Sequence, residues 1–341
     1  MTLKPSSNRG GRLEWLDALK GFAIFAVVLG HVLLGYVENN AFPEDNQRMK
    51  AIMQWIYIWH MPLFFAISGY AYSLSCLKDG KADIGKIRKK AINLLIIYLF
   101  FSIALGGLKI FFSAFVDNPM DITELLKGII FPNTLMWYLW VLILFYLVFP
   151  KVAYMNPVGV SVVMAAFFLF GRYMDKNIEL RLCFRNFLCC AAYFYMGIYL
   201  QKGKRKEGLE KLCFGAVVIL GLLYFLFYNR YRELPVLTHA VIEGVYAAAV
   251  IVAAFSGFSF GVKREICLCK AGKASMVIYL LHTYIVTAVK VAVIRSGFGS
   301  AVMAIIGTWL IAVLATCVIW YISNKVRWIG FFFHPLEKSE K

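Results

Sequence analysis

The stretch Leu16–Val37, LDALKGFAIFAVVLGHVLLGYV, is the most informative segment of this chain for its fold class. It is apolar over the length of a membrane-spanning helix, yet it carries Lys20 and His31. The eleven helical residues that separate these two side chains rise about 16 Å, roughly half of the hydrocarbon thickness of a bilayer. Because an ionisable group at that depth costs free energy unless it has a partner, the helix is a candidate part of a functional site.

Composition extends the membrane assignment to the whole chain. Of the 341 residues, 61% are apolar and 16% are charged, whereas a soluble domain has about 45–50% and 25%. The net charge of +17 would suit a nucleic-acid ligand, but the basic residues lie in short segments between apolar runs, as the positive-inside rule requires. We therefore expect an all-α polytopic protein embedded in a lipid bilayer, with no nucleic-acid partner.

Ten apolar runs are long enough to cross a bilayer. If the N-terminus is cytoplasmic, most basic residues outside these runs fall on the cytoplasmic side, and an even number of spans places both termini there. We expect a cytoplasmic segment over 1–15, a ten-helix transmembrane domain over 16–323 and a cytoplasmic tail over 324–341. The predicted spans are 16–37, 52–76, 91–113, 134–150, 154–171, 184–200, 209–228, 236–257, 275–294 and 298–323.

Further ionisable side chains are expected at membrane depth. His31 and His60 lie about 9 and 12 Å below the outer surface, so that adjacent antiparallel helices would bring the two imidazoles together. His239 and Glu243 share one face of the eighth span, and a carboxylate that orients an imidazole supports a general base. These four groups are predicted to gather in the outer half of the membrane. For His60 or His239 alone, a structural histidine bonded to a backbone carbonyl is the alternative.

Other chemistries lack their sequence signatures. Ser68 does not lie in a G-x-S-x-G motif, which favours a histidine base acting directly on a substrate. Cys267 and Cys269 lack the C-x2-C spacing of a zinc site, and no histidine pair accompanies them, so no metal is expected. His282 lies about 10 Å from the inner surface; packing is one interpretation, and the sequence leaves its role open.

The basic run Lys86–Lys90 at the inner end of the third span has two interpretations. As a topology signal, it would face anionic lipid, at about 1 kcal/mol per charge. As a binding site, it would hold the phosphates of an anionic cofactor that arrives from the cytoplasm. Lys20 also has two interpretations: it could bind the same anionic cofactor, or its long side chain could simply extend to the inner interface.

Two blocks of sequence resemble the integral-membrane acyltransferase-3 family, which includes O-acetyltransferases of surface polysaccharides. Residues 16–31, LDALKGFAIFAVVLGH, are similar to the family signature of a basic residue, ten residues and a histidine. Residues 59–70, WHMPLFFAISGY, are similar to its second-helix block. WYLW at 137–140 and YLLH at 279–282 match less specifically. The likeness covers nearly the whole chain and is nearest to the fucose 4-O-acetylases.

The chain also departs from the family pattern. Lys20 stands where the family most often has arginine, which keeps the charge but loses the planar fork that binds phosphate or carboxylate through two hydrogen bonds. The family's basic-x-x-basic pattern before Pro-Tyr is here Lys90-x-x-Asn93, followed by Ile97 and Tyr98. These departures concern the side of the site where the acyl donor would bind.

The resemblance implies acyl transfer from a cytoplasmic acyl-CoA, with acetyl-CoA the expected donor, to a hydroxyl of a lipid-linked or exported surface glycan. The location it implies is the cytoplasmic membrane of a bacterium. His31 would be the general base and His60 a supporting or oxyanion-binding group, while His239 and Glu243 are added from depth and spacing. The residues expected to hold the CoA phosphates are Lys20, Arg88, Lys89 and Lys90.

Two other classes of protein stay open on the sequence. One is a transporter or exporter of a polysaccharide or a small acylated metabolite, and the other is a non-catalytic ligand-binding membrane domain. The sequence shows no matching Gly- or Pro-broken helices in two halves, which are the usual pointer to an inverted-repeat transporter. The acceptor, the choice between acetyl and longer acyl groups, and the oligomeric state, with a homo-oligomer among the alternatives, are not decided by the sequence.

Overall fold

The computed structural model describes residues 13–78, 81–111, 121–132, 136–174, 179–203, 207–261, 266–333 and 335. These residues form helices throughout, apart from loops and one short antiparallel ribbon of β1 (Leu77–Lys78) and β2 (Lys81–Ala82). The expected all-α class is confirmed. The helices are α1 (Glu14–Glu38), α2 (Asn46–Cys76), α3 (Ile84–Phe111), α4 (Ile122–Ile130), α5 (Trp137–Val152), α6 (Pro157–Tyr173), α7 (Glu179–Lys202), α8 (Glu207–Leu226), α9 (Tyr228–Arg232), α10 (Val236–Gly261), α11 (Ile266–Lys273), α12 (Ser275–Arg295), α13 (Ala301–Lys325) and α14 (Arg327–Phe333).

Among the described residues, each of the ten predicted spans falls on a helix. Residues 112–113 and 134–135 of two predicted spans, and most of the predicted terminal segments, lie outside the described residues. Six of these helices, α1, α2, α3, α10, α12 and α13, are long and apolar enough to cross a membrane. The apolar helices α5 and α6 have 16 and 17 residues, at or just below the lower limit of about 17 residues for a span. The chain is therefore a multi-pass membrane protein, while the number of ten crossings and the orientation stay predictions.

Local chemistry explains the boundary between α5 and α6, where the hydropathy is nearly continuous. The Asn156 side chain accepts hydrogen bonds from the backbone N–H groups of Val158 and Gly159, at 2.9 and 3.3 Å. Pro157 occupies the first helical position, where its fixed φ favours the helix and its missing N–H costs nothing. Together they begin a new helix at a point where the chain would otherwise continue as one apolar run.

The chain divides into two compact units. The first contains residues up to Ile67 together with Lys204–Ile322, and the second contains Ser68–Gly203 together with residues from Ser323 onwards. In the first unit α1 packs against α10, α11 and α12, and α8 packs against α10. In the second unit α3 packs against α4 and α5, and α7 packs against α5 and α6.

Helix α1 is the most deeply enclosed of the six long apolar helices. In its apolar 18-residue segment 61% of the residues are buried, whereas in the corresponding segment of α13 28% are buried. Its neighbours also bond to it along its length: Trp309 on α13 donates to the Phe25 carbonyl at 3.0 Å, and Tyr36 pairs with Thr308 at 2.7 Å. The helix that carries the ionisable residues is therefore surrounded by protein, as its composition requires.

Two glycines allow α1 and α11 to approach closely. A Cβ atom on Gly21 would collide with the backbone carbonyl of Leu268, and one on Gly272 would collide with that of Asp17. The contact is thus reciprocal, with a glycine of each helix lying on the backbone of the other. Small residues are the usual means by which helices pack in a membrane, where the hydrophobic effect between them is absent.

We predict that Gly21→Ala destabilises the protein, because the added methyl group has no space against the α11 backbone. The matched control is Gly307→Ala on α13, where a Cβ would meet nothing within 4 Å. Melting of the purified protein in detergent should show a lower Tm for Gly21→Ala and an unchanged or higher Tm for Gly307→Ala. Equal Tm values for the two variants would contradict the close contact.

Candidate active site

Three histidines converge in the first unit. The ring centroids of His31 on α1 and His282 on α12 are 5.1 Å apart. His60 on α2 is close enough to both other imidazoles to interact with them electrostatically. Tyr57, also on α2, packs its ring against His60 at 4.8 Å and against His31 at 6.1 Å between centroids. The predicted proximity of His31 and His60 is therefore present, and two further rings join them.

Backbone hydrogen bonds fix the orientation of two of these imidazoles. Nδ1 of His60 donates to the Ile56 carbonyl at 2.8 Å. Nδ1 of His282 donates to the carbonyls of Ile278 and Tyr279 at 2.8 and 3.0 Å. Because a carbonyl oxygen only accepts, Nδ1 carries the hydrogen in both rings, and in the neutral rings Nε2 is left as the acceptor.

Two polar atoms of this cluster are buried without a hydrogen-bond partner among the described residues. They are Nε2 of His282, whose side chain is fully buried, and the hydroxyl oxygen of Tyr57. An unpaired buried polar group costs about 1–3 kcal/mol, so folding alone does not explain them. Beside His31, one proton acceptor and one hydrogen-bond donor are thus available to a bound molecule.

Lys20 has a specific partner at the other end of the helix. Its ammonium group lies 3.6 Å from a carboxylate oxygen of Asp17, and the Lys20 side chain is 28% exposed while that of Asp17 is 3% exposed. The Asp17 backbone is the point on which Gly272 packs. The pair thus holds a partly accessible cation at the start of α1, about 16 Å of helix from His31.

The other predicted donor-binding residues belong to the second unit. Arg88 and Lys89 are exposed on the first turns of α3, and the Lys90 ammonium donates to the Ser75 hydroxyl at 2.6 Å. These contacts agree with a basic, accessible surface on α3. Since Lys20 lies in the first unit, the grouping of all four basic residues around one donor stays a prediction.

His239 and Glu243 meet at Tyr231 of α9. The His239 ring stacks on the Tyr231 ring, and its Nε2 donates to the Tyr231 carbonyl. The Tyr231 hydroxyl donates to a Glu243 carboxylate oxygen at 2.7 Å. The two side chains therefore share a face, as their spacing predicts, and both bind the short helix that precedes α10. Their catalytic role stays a prediction.

A cavity of about 790 Å³ lies between the start of α2 and the end of α8, and Tyr228 and Arg230 of α9 are part of its lining. Its lining combines amide, guanidinium and aromatic groups. Gln47 crosses it to donate to Asn229 at 3.1 Å, and Tyr228 on its wall donates to Gln54 at 2.6 Å. Its volume is in the range of small-molecule sites.

The sequence reasoning missed three residues of the site. Asp17 has a local signal, an acid three positions before Lys20 in an apolar helix. Counting residues along its helix predicts that His282 lies about 10 Å from the inner surface, which is much closer to that surface than His31. The observed contact between them means that the two helices do not begin in one plane. Tyr57 has only its position three residues before His60.

The sequence pattern of the acyltransferase domain family, acyltransferase 3, matches residues 13–324. This range includes both units and every residue of the histidine cluster. The chain therefore belongs to the acyltransferase-3 family and carries its membrane acyltransferase domain.

Two curated relatives share part of the chain. The nodulation protein NolL of Sinorhizobium fredii is 32% identical over 139 residues, which cover 40% of this chain and 35% of the relative. The nodulation protein NolL of Mesorhizobium japonicum is 28% identical over 156 residues, which cover 44% of this chain and 38% of the relative. Each match thus spans little more than a third of the relative's length. No solved structure matches the chain.

We predict that acyl transfer requires His282, because its ring contacts that of His31. His282→Ala should lower the rate by about 10²-fold, because it removes the fixed ring that orients His31 and a small displacement of a reacting group costs about that much. The measurement is transfer of label from radioactive acetyl-CoA by purified protein, with Thr316→Val, a buried hydroxyl on α13, as the control. A rate for His282→Ala within threefold of wild type would assign His282 to packing alone.

Proposed function

We propose that this protein is a membrane O-acyltransferase that moves an acetyl group from cytoplasmic acetyl-CoA to a hydroxyl of a lipid-linked or exported glycan. The observation that carries the proposal is the cluster of His31 with the buried rings of His60 and His282 inside the segment that matches the acyltransferase family. A bacterial cytoplasmic membrane is the location that supplies both substrates.

The chemistry requires a base for the acceptor hydroxyl. His31 removes the hydroxyl proton as the acceptor oxygen attacks the thioester carbonyl carbon, and the carbonyl becomes an oxyanion. The oxyanion then re-forms the carbonyl, the carbon–sulfur bond breaks, and the CoA thiolate takes the proton from the His31 imidazolium. His60 and His282 orient the reacting groups, since their Nδ1 atoms are held by backbone carbonyls and their Nε2 atoms remain acceptors.

The donor side of the proposal rests on Lys20. CoA has phosphates at one end and a thioester at the other, joined by a long pantetheine arm, and Lys20 and His31 lie far apart on one helix. The Asp17 carboxylate limits the motion of the Lys20 ammonium without burying it. Arg88, Lys89 and Lys90, on α3 of the second unit, stay a sequence-based prediction of phosphate-binding residues.

The acceptor glycan is proposed to bind in the cavity beside α9. Its amide, guanidinium and aromatic groups suit the hydroxyls and the apolar faces of a sugar. His239 and Glu243, which bind Tyr231 next to this cavity, would order its wall and assist proton movement from the acceptor. The cavity lies in the half of the protein that the charge pattern places outside, where an exported glycan is found.

We predict that His31→Ala abolishes transfer of label from radioactive acetyl-CoA to the membrane glycan fraction. Loss of a general base lowers the rate by about 10²–10⁴-fold, and His31→Gln, which keeps a polar side chain of similar size, should lose as much. Both variants should be extracted from membranes in wild-type yield. Full transfer by His31→Ala would overturn the catalytic assignment, and absence of transfer by wild type would favour an exporter.

We predict that Lys20→Ala raises the KM for acetyl-CoA, because it removes the cation that meets the phosphates. Lys20→Arg keeps the charge and should stay within a few-fold of wild type. Initial rates over a range of acetyl-CoA concentrations separate KM from kcat. If alanine and arginine cause the same loss, Lys20 serves packing rather than donor binding.

A further inference from the structure

The Tyr57 hydroxyl is, with Nε2 of His282, one of two unexplained polar groups beside the proposed base. It is buried and has no hydrogen-bond partner in the described part of the chain. Other buried tyrosines of the same unit do have partners: Tyr36 pairs with Thr308 at 2.7 Å, and Tyr224 donates to the Ala51 carbonyl at 3.1 Å. The absence of a partner at Tyr57 is thus a local feature rather than a general property of tyrosines in this unit.

The position of Tyr57 is set by its neighbours on α1 and α2. Its ring packs edge-on against His31 and against His60. A Cβ atom on Gly30 would lie 3.8 and 3.9 Å from Cε2 and Cζ of Tyr57, which is ordinary van der Waals distance, so the phenol end of the ring lies next to the glycine that precedes His31. The phenol is therefore held beside the residue that precedes the base.

A phenol in this place supplies what the histidines do not. Nε2 of His282 is an acceptor, so the neutral imidazoles are suited to take protons rather than to stabilise negative charge. The tyrosine hydroxyl is a donor that can be aimed at an oxygen. A donor held ready in a site without water stabilises the charge that develops in an acyl-transfer transition state.

We propose that Tyr57 is the oxyanion-stabilising residue of this site, an inference that rests on the proposed acyl transfer. As the acceptor oxygen bonds to the thioester carbon and His31 takes its proton, the carbonyl π electrons move to oxygen, and the Tyr57 hydroxyl donates a hydrogen bond to that oxygen. Tyr57 keeps its proton throughout. When the carbonyl re-forms and the carbon–sulfur bond breaks, the hydrogen bond weakens again and the thiolate leaves with the proton from His31.

We predict that Tyr57→Phe lowers the rate of acetyl transfer without lowering the stability of the protein. The variant keeps the ring and its packing on His31 and His60, and it removes a buried hydroxyl that bonds to no residue the structure describes. The substrate-free protein should therefore melt at the same Tm as wild type or higher. The kcat for acetyl transfer should fall by about 10²–10³-fold, the usual cost of losing one oxyanion donor, with the KM for acetyl-CoA within threefold.

Tyr36→Phe is the matched control, because it removes a buried hydroxyl that does have a partner, Thr308. It should lower the Tm and leave kcat within twofold of wild type. Tyr57→Phe should thus lower kcat without lowering Tm, whereas Tyr36→Phe should lower Tm without lowering kcat.

The experiment measures Tm, kcat and KM for wild type, Tyr57→Phe and Tyr36→Phe in detergent or nanodiscs, with acetyl-CoA as the donor. A kcat of Tyr57→Phe within threefold of wild type would overturn the proposal, as would a loss confined to KM or a Tm well below that of wild type. If wild type itself transfers no acetyl group, the proposed function fails before Tyr57 is tested. If wild type is active and Tyr57→Phe is equally active, only the role of Tyr57 fails.

Discussion

The cost of placing ionisable side chains inside hydrocarbon is the constraint on which this structure depends. Helix α1 carries Asp17, Lys20 and His31, and a helix with these residues cannot face lipid on all sides. It is accordingly the most enclosed of the long apolar helices. Its neighbours α10, α11 and α12 all pack on it, and the close approach of α11 requires Gly21. The position of the candidate active site follows from this enclosure.

The enclosure also shapes the chemistry of the histidines. In water an imidazole exchanges partners freely, but His60 and His282 are held through Nδ1 by carbonyls of their own helices. That leaves each ring with one available nitrogen of known character, an acceptor in the neutral form. The arrangement allows His31 to be the mobile partner in proton transfer while the other two rings stay fixed. Tyr57 then adds a hydroxyl donor beside two imidazoles, His60 and His282, whose own N–H groups are already bonded to carbonyls.

The sequence predicted the helical fold and the meeting of His31 with His60, because apolar periodicity and helix rise are local quantities. It did not predict the contact with His282, because counting residues assumes that all helices begin in one plane. The apolar pattern of the sequence does not predict the short helix α11. Its Gly272 nevertheless packs directly on the Asp17 backbone, in the first turn of α1. The pairing of His239 with Glu243 was visible from their spacing, whereas their common partner Tyr231 lies on an element too short to predict.

The central claim is that the acyl group of the donor lies beside His31, in contact with Tyr57. Cryo-electron microscopy of the protein with a non-hydrolysable ketone analogue of acetyl-CoA tests it most directly. We expect the analogue's carbonyl carbon to lie about 3–4 Å from the place beside the His31 ring that the acceptor oxygen would occupy. Its carbonyl oxygen should lie within about 3 Å of the Tyr57 hydroxyl. An analogue bound with its acyl group elsewhere, for example beside His239 and Tyr231, would contradict it.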